Sequence, residues 1–390
     1  GVSYAIQGRH GGQDPWLFLD LRAGRRRVMA EAPGKSVLNL FAYTCGVGIA
    51  AAAAGADAIE TARVLGWDVV VRKDLNYQPG DPVVFFEIDS ILPDLPIFEE
   101  MLYGKPYSTR AARLKSKRFK GQVSQGYIRH VADVIPYVDP NEVPHNSYSY
   151  DLMLAGHPAM IGLDVSAMIG VVKYEPPATG EQVANTSYWL SPHVPRTDED
   201  RVQSKPQLCA ALQGLPYVIT VKCDGQSGTF GLDDDGAYWV CSRNFRLKPG
   251  RGGTYDRVSD RYKLMEIIGT TYPEVVIQGE VCGPGIQGNR LGLSEPDLFV
   301  FNVFDKDAGR YLAHDYMVAF CEGNGLKTVP VLETGESFGY TPDELLVKAE
   351  GLYDSGRERE GIVIRHRLQT GTDRISFKAI SNKFLFDGGN

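Results

Sequence analysis

A lysine followed closely by an aspartate and a glycine constrains the fold more than any other feature of this chain. The motif is Lys222-Cys223-Asp224-Gly225, and β-type segments flank it at Val218 to Val221 and at Gly228 to Phe230. Further charged elements follow along the chain in the order Gly279-Glu280, Glu360-Gly361, Lys378 and Lys383. The sequence therefore predicts a pocket around Lys222 that is assembled from distant segments.

A lysine that attacks phosphorus must first lose its proton. Its ordinary pKa is about 10.4, so burial or nearby positive charge has to lower it. We expect Lys378, Lys383 and a divalent cation to supply that charge and to neutralise a triphosphate. Glu280 would hold ribose hydroxyls and Glu360 the cation, since hard oxygen ligands favour Mg²⁺ or Mn²⁺.

Each of these residues, taken singly, also has an ordinary structural explanation. An isolated lysine in such a motif is more often a surface residue than a nucleophile, and single charged side chains are more often ion-pair partners. Cys223 has no histidine nearby in the sequence and is predicted to be a packed side chain. The order of the whole charged set favours a lysine that carries a nucleotide covalently.

Length and composition limit the other possibilities. A chain of 390 residues is longer than one hydrophobic core normally accommodates, so two or more domains are expected. Because the net charge is −7, local clusters of charge are more informative about partners than the overall charge. The six cysteines form no C-x-x-C pair, which argues against a zinc knuckle and fits a reducing cytoplasm. Neither an apolar span of about 18 residues nor a signal-peptide pattern is found, so no membrane segment is predicted.

Residues 1–56 read as a separate fragment of α/β character. Val37 to Phe41 has a buried-strand pattern, Tyr43 to Gly48 a turn, and Ile49 to Ala54 an alanine-rich helix start. Together with Leu17 to Asp20 upstream, this segment resembles the first part of the catalytic domain of Rossmann-like ribosomal-RNA methyltransferases. The resemblance stops near Gly55, before the acidic strand end and catalytic loop that a methyltransferase needs.

Residues 57–170 are predicted to form a small β-barrel of the oligonucleotide-binding (OB) kind. Segments 66–73 and 81–88 read as strands joined by a Gln78 to Asp81 turn, as short strands with Gly and Pro turns suggest. A basic run without acids follows from Tyr103 to Gly121 and also contains aromatic residues, which favours nucleic acid over a solvated loop. Its predicted nucleic-acid contacts are Lys105, Arg110, Arg113, Lys115, Lys117, Arg118 and Lys120.

Residues 171–180 form a predicted linker that ends in a proline pair, and residues 181–390 a mixed α+β core. Helix is expected over Thr341 to Tyr353. Strands are expected at Tyr217 to Val221, Tyr238 to Cys241, Val275 to Val281, Leu298 to Phe304, Gly361 to Arg365 and Ile375 to Ala379.

Residues 57–390 resemble the covalent nucleotidyltransferases, and most closely the ATP-dependent RNA ligases of the Deinococcus type. The matching text comprises Thr197 to Gln203, the Lys222 motif, Cys241 to Asn244, Gln278 to Gln287, Glu360 to Arg365 and Ser376 to Phe384. The resemblance implies an α+β nucleotidyltransferase core preceded by the OB-like barrel. Gln226 departs from the family, which often has a small hydroxyl residue there.

The resemblance also implies a role for each matching residue. Lys222 would form lysyl-AMP, supported by the Asp224 and Gly225 turn. Arg243 would contact the nucleotide or the 5′-phosphate, and Phe301 the adenine face. Glu280 would bind the ribose, Glu360 a metal ion, and Lys378 and Lys383 the phosphates.

These roles imply an RNA strand-sealing enzyme that uses ATP and Mn²⁺ or Mg²⁺ to join 3′-hydroxyl and 5′-phosphate ends. We expect a monomer, and as its partner nicked or broken RNA ends or an RNA-DNA hybrid. Two alternatives stay open. In the family, the first barrel strand precedes the segment that matches Asp57 to Glu60, and here the methyltransferase-like segment occupies that place. The barrel disturbed in this way and the basic run would also suit an RNA-binding protein with an inactive core, and Val37 to Gly48 would suit a methyltransferase.

Overall fold

The computed structural model describes residues 59–102, 104–119, 121–139, 164–174, 194–248 and 253–386, together with positions 27 and 30 and the backbone of 186–187. The chain divides into two compact units, Gly1–Glu175 and Pro176–Asn390. The predicted strand and helix within residues 37–54 lie outside the described residues.

The first unit is built from short antiparallel ladders. Its strands are β1 (Ile59–Val64), β2 (Trp67–Arg72), β3 (Val83–Phe86), β4 (Ser90–Ile91), β5 (Lys117–Phe119), β6 (Gln122–Ser124), β7 (Tyr127–His130) and β8 (Val172–Lys173). Its α-helices are α1 (Thr109–Ala112) and α2 (Val131–Val134), with 3₁₀ turns at Lys73–Leu75, Pro96–Leu102, Ile135–Tyr137 and Ala167–Ile169. The pairs are β1 with β2, β3 with β7, β4 with β8 and β5 with β6.

Alternating residues on β2 explain how this unit forms its core. Trp67, Val69 and Val71 are buried, whereas the residues between them are more exposed. The predicted turn at Gln78 to Asp81 is present, with a hydrogen bond of 3.0 Å from Asp81 N to Gln78 O. The strands on either side of it do not pair with each other, because β2 pairs with β1 and β3 with β7.

The second unit contains two larger sheets with helices against them. Its strands are β9 (Thr186–Ser187), β10 (Asp200–Arg201), β11 (Tyr217–Lys222), β12 (Gln226–Leu232), β13 (Tyr238–Cys241), β14 (Arg246–Leu247), β15 (Val275–Cys282), β16 (Asp297–Asp305), β17 (Arg310–Tyr311), β18 (Val331–Gly335), β19 (Gly361–His366) and β20 (Ser376–Ile380). Its helices are α3 (Pro206–Leu212), α4 (Thr254–Tyr262), α5 (Leu264–Glu266), α6 (His314–Gly323), α7 (Pro342–Ala349) and α8 (Asn382–Phe386), and a π-helical turn spans Ile267–Thr271.

The two sheets divide the strands of this unit between them. One has the order β10-β20-β19-β11-β18 and the other β17-β16-β15-β12-β13-β14-β9. Helices α3 and α7 contribute buried side chains to the core of the five-stranded sheet, and α4 and α6 to that of the seven-stranded sheet. The α+β class predicted for the core is confirmed.

Helix α7 shows how local sequence fixes an element of this core. Thr341 caps its first turn by accepting a hydrogen bond from Glu344 N, and the Glu344 carboxylate accepts one from Thr341 N. Pro342 follows the cap, where its missing N–H costs nothing. The helix ends at Ala349, four residues before the predicted end at Tyr353, because Glu350 is extended.

Candidate active site

The Lys222 motif is the turn that carries the chain from one sheet to the other. β11 belongs to the five-stranded sheet and β12 to the seven-stranded sheet, and only residues 223–225 separate them. The last rung between β11 and β19 pairs Lys222 with Gly361, so Glu360 lies next to the lysine. Glu360 Oε2 is 2.7 Å from Lys222 Nζ, and the two side chains are 15% and 24% exposed.

The turn itself requires glycine at position 225. A Cβ there would lie 2.6 Å from both Cys282 Sγ and the main-chain oxygen of Val281. This close approach lets the Gly225 N–H donate a hydrogen bond to Glu280, which sits opposite Ser227 in the β12–β15 ladder. The turn therefore brings the two predicted site elements together, and Cys223 is buried beside it, as predicted.

Glu280 and Asp224 are carboxyl groups in a partly desolvated and acidic environment. Burial raises the pKa of Glu280 to about 8, against the attraction of Lys222, and Glu360 and Asp224 add to the increase. Burial and the charge of Glu360 raise the pKa of Asp224 to about 7, although Lys222 and Arg290 oppose the change. Arg290 Nε lies 3.4 Å from Asp224 Oδ2.

The charge state of Lys222 differs from our expectation. Burial alone would lower its pKa, but the charges of Glu360 and Glu280 and the hydrogen bond to Glu360 outweigh burial, so the pKa is raised. In the protein alone the expected lowering of this pKa is not seen, because the acidic residues around Lys222 outweigh both burial and the positive charge of Lys378. The contributions that we expect from Lys383 and from a bound cation stay predictions. Lys222 is an ammonium ion at neutral pH in this structure.

Lys378 is the site lysine whose pKa is lowered. It lies on β20, opposite Val363 of β19 and Arg201 of β10. Burial, followed by the positive charges of Lys222 and Arg201, lowers its pKa to about 8, although Glu360 opposes the change. β20 pairs with β19, the strand that begins directly after Glu360. Lys378 is therefore, after Lys222, the second positively charged side chain of the site.

Two of the predicted nucleotide contacts, Phe301 and Arg243, have different surroundings. Phe301, on β16, packs in a small cluster that includes Val221 and Cys223, and its main-chain oxygen accepts a hydrogen bond of 2.7 Å from Arg365. Arg243 lies 2.8 Å from Asp198 and is 40% exposed, and its Nε is buried without a hydrogen-bond partner among the described residues. Phe301 lies in the seven-stranded sheet, and Arg243 follows β13 of the same sheet.

Comparison with solved structures identifies the family. A Naegleria gruberi RNA ligase variant with ATP and Mn is 30% identical, with a TM-score of 0.72 over 86% of this chain and 95% of that one. The apo form of another variant of that ligase is 29% identical, with a TM-score of 0.73 over 86% and 94%. A family model described as RNA ligase matches residues 215–380. The chain belongs to the RNA ligase family.

The remaining matches concern the N-terminal half of this RNA ligase. An OB-fold domain model matches residues 47–131, and a model described as S-adenosylmethionine-dependent methyltransferase matches residues 5–76. Ribosomal RNA large subunit methyltransferase K/L of Photobacterium profundum is 39% identical over 82 residues, and that of a Shewanella species 37% over 81. Each alignment covers 20% of this chain and 11% of the methyltransferase.

These matches confirm the predicted resemblances to RNA ligases, to the OB fold and to a methyltransferase fragment. The methyltransferase and OB-fold matches overlap over residues 47–76. The domain boundaries at residues 56, 170 and 180 stay predictions. Within the described residues, every helix is too short or too polar to cross a bilayer.

Lys383 of this RNA ligase occupies a more exposed position than the other predicted site residues. It lies on α8, with Nζ 2.9 Å from Glu350 Oε2 and a side chain that is 57% exposed. The hydrogen bond and charge of Glu350 raise its pKa. Its predicted contact with phosphate stays a prediction.

The basic residues of the first unit divide into two groups. Arg113 is partly buried, and its guanidinium lies 2.8 Å from Asp89 and 3.7 Å from the ring centre of Tyr174. Its charge is therefore compensated by residues of the same unit. Lys120 lies outside the described residues. The others are exposed on α1, on β5 and in the segments beside them, namely Lys105, Arg110, Lys115, Lys117 and Arg118.

The chemistry of the carboxylates tests whether a divalent cation fits the site. No group of three or more Asp, Glu, His and Cys side chains converges on one point in the part of the chain that the structure describes. Burial raises the pKa values of Glu280 and Asp224, and the charge of Glu360 beside them adds to both increases. A cation held by one carboxylate, water and substrate phosphates fits this arrangement, as Mg²⁺ commonly binds.

Sequence reasoning missed three residues that hold the site together. Arg290 pairs with Asp224, and Arg365 links the sheets through Phe301 O and through Glu199, 2.8 Å away. Tyr353 contacts the main chain on both sides of the Lys222 and Glu360 pair. Arg290 and Tyr353 lie outside the segments that resemble the family. Arg365 lies at the end of one of them, but the sequence does not indicate its contacts.

Proposed function

We propose that this chain is an ATP-dependent RNA ligase that joins 3′-hydroxyl and 5′-phosphate ends through a lysyl-AMP intermediate. The observation that carries the proposal is the placement of the Lys222 amine at the junction of the two sheets. Glu360 lies 2.7 Å from it, and Glu280, Asp224 and Lys378 are close enough to affect its charge or to be affected by it. The ATP and Mn that occupy the similar Naegleria structures support these cofactors here.

In the first step, Lys222 Nζ attacks the α-phosphorus of ATP. An N–P bond forms, the bond to the bridging oxygen breaks, and pyrophosphate leaves. Lys222 must release a proton to solvent for this reaction, because Glu360, which would hold the cation, is not free to take it. A divalent cation held by Glu360 would supply positive charge that neutralises the triphosphate and favours the free amine. Mn²⁺ or Mg²⁺ suits such oxygen ligands.

The neighbouring side chains would bind the nucleotide. With a pKa of about 8, Glu280 is largely protonated at neutral pH and can both donate and accept hydrogen bonds with ribose hydroxyls. Lys378 would hold phosphate oxygens, with Lys383 further out. The ring of Phe301 would lie against the adenine.

In the later steps, a 5′-phosphate oxygen attacks the phosphorus of lysyl-AMP. The N–P bond breaks and Lys222 is released. A 3′-hydroxyl then attacks the adenylated end, a phosphodiester forms, and AMP leaves. Arg243 offers a buried Nε donor that would suit the nucleotide or the 5′-phosphate.

The partner we propose is RNA, bound by a monomer. The exposed lysines and arginines of the first unit would contact its phosphates, as their sequence pattern predicts. The five cysteines that the structure describes, Cys209, Cys223, Cys241, Cys282 and Cys321, are buried free thiols. This arrangement agrees with the reducing cytoplasm that we propose as the location.

Incubation with α-labelled ATP and Mn²⁺ tests the first step. We expect label to remain on the protein through an acid-labile, base-stable bond, and Lys222→Ala to abolish it. Matched nicked RNA and DNA substrates then test sealing. Salt-dependent RNA binding without any adduct would instead support an RNA-binding protein with an inactive core, and labelling that persists in Lys222→Ala would exclude Lys222 as the nucleophile.

A further inference from the structure

The hydroxyl of Tyr353 connects the main chains of the two residues at the centre of the site. It donates a hydrogen bond of 2.8 Å to the carbonyl oxygen of Lys222 and accepts one of 3.1 Å from the N–H of Glu360. The ladder between β11 and β19 ends at the Lys222 and Gly361 rung. The tyrosine therefore extends the connection between the strands beyond their last pair.

We propose that Tyr353 is a positioning residue that fixes Lys222 against Glu360 for the transfer of AMP to the lysine. This inference rests on the proposed function. Both side chains branch from main-chain groups that the hydroxyl holds, so a small shift of either group changes the distance between the amine and the carboxylate. Reaction rates are sensitive to displacements of this kind.

The ring of Tyr353 is itself held in place. It packs against a cluster formed by Val221, Cys223, Cys282 and Val329. Burial raises the pKa of its phenol, so the group keeps its proton and acts as donor and acceptor together. A rigid ring with a neutral hydroxyl is what a fixed spacer between two strands needs.

The loop that carries Tyr353, residues 350–360, is fastened at several points. Arg359 donates hydrogen bonds to the main-chain oxygens at the end of α7, including Ala349 O at 3.0 Å. Ser355 donates to Arg290 O, and Arg357 donates to Gly288 O at 2.8 Å. Because Arg290 pairs with Asp224, the same loop also holds the segment that supports the second acidic residue of the site.

Tyr353→Phe tests the proposal, since it keeps the ring and removes only the hydroxyl. In single-turnover labelling with ATP and Mn²⁺, we expect the rate at saturating ATP to fall by about 10- to 100-fold. The KM for ATP should stay within about threefold, because no nucleotide contact is removed. A merely structural role would instead lower the amount of folded, labelled protein and leave the rate of the folded fraction unchanged.

Tyr316→Phe is the matched control, because that ring is 74% exposed. A Tyr353→Phe rate equal to that of the wild type, or a loss that appears in the KM for ATP rather than in the rate at saturating ATP, would overturn the positioning role. If Tyr353→Phe fails to fold, Arg357→Ala removes the hydrogen bond from the same loop to Gly288 O. An unchanged adenylation rate in Arg357→Ala would then overturn the positioning role as well. Wild-type protein that forms no adduct on Lys222 would instead contradict the proposed function.

Discussion

Lys222 and Glu360 meet beside the last rung of the ladder between β11 and β19, with 2.7 Å between the ammonium nitrogen and a carboxylate oxygen. The pair keeps the lysine protonated in the protein alone. In the mechanism that we propose, Lys222 has to be released from Glu360 before it can react, and substrate and cation binding would provide that release. The protein would in this way keep its nucleophile inactive until ATP arrives.

Replacing Glu360 with glutamine should separate its effects on charge and on catalysis. Glu360→Gln keeps a hydrogen-bonding side chain but removes the negative charge, so we expect the pKa of Lys222 to fall. Labelling by ATP should nevertheless fall by at least about 100-fold, because the cation that we propose would lose its carboxylate ligand.

The pKa of Lys222 can be followed by NMR of the labelled lysine side chain, and the adduct by gel. Glu336→Gln is the control, because Glu336 is 75% exposed and pairs with Arg367. An unchanged Lys222 pKa in Glu360→Gln would contradict the pairing, and undiminished labelling would contradict the role of Glu360 in catalysis.

Gly225→Ala should damage both stability and adenylation. The new Cβ would meet Cys282 Sγ and the main-chain oxygen of Val281 at 2.6 Å, so the turn has to move. We expect a loss of about 2 kcal/mol in the free energy of unfolding and at least a tenfold loss in the adenylation rate. Denaturant unfolding and single-turnover labelling measure the two effects. Gly339→Ala, with nothing within 4 Å of its Cβ, should leave both unchanged.

The raised pKa of Glu280 makes the stability of the protein alone depend on pH. The folded state holds this proton up to about pH 8, whereas the unfolded state releases it near the ordinary value of 4.5. The folded state thus binds more protons in this window, so stability falls as pH rises through it.

Glu280→Gln should remove that part of the slope. We expect the variant to gain about 2 kcal/mol relative to the wild type between pH 5 and pH 8, measured by denaturant unfolding without nucleotide or cation. Glu266→Gln, on a side chain that is 69% exposed, is the control. Parallel curves for Glu280→Gln and the wild type would show that Glu280 titrates normally.

The exposed lysines of the first unit should contribute to RNA binding through charge alone. For the double variant Lys105→Ala/Lys115→Ala, we expect weaker RNA binding at low salt and a salt-dependence slope that is smaller by about 1.4. Labelling of Lys222 by ATP should be unaffected. Fluorescence anisotropy over a salt series measures the slope. Lys73→Ala/Lys263→Ala removes equal charge elsewhere, and an equal effect from it would argue against a defined binding surface.

The sequence predicted elements well where burial is continuous. β11 and β19 each extend one residue beyond the prediction, because apolar runs between charged or glycine residues mark a buried strand reliably. The end of α7 was less predictable, because it depends on Arg359, ten residues further along, which binds the last carbonyl oxygens. Pairing within the first unit was also hidden, since strand partners are chosen by tertiary packing.

The candidate site was predictable in its members but not in its electrostatics. The order of Lys222, Glu280, Glu360 and Lys378 indicated a common pocket, and the structure brings these four residues together. Spacing along the chain does not reveal which charges lie nearest, so the raised pKa of Lys222 in the protein alone was not predicted. Tyr353 was missed because its contacts are with main-chain atoms, which leave no pattern in the sequence.

The ladder between β1 and β2 has a consequence for how this chain could have arisen. Its six residue pairs, from Ile59 with Arg72 to Val64 with Trp67, lie where the methyltransferase and OB-fold matches overlap. Every amino acid except proline offers both a main-chain donor and a main-chain acceptor to a neighbouring strand, and β1 is only half-buried. A strand of this kind can therefore tolerate a join between two unrelated genes, since a borrowed segment with the right alternation can still complete the ladder.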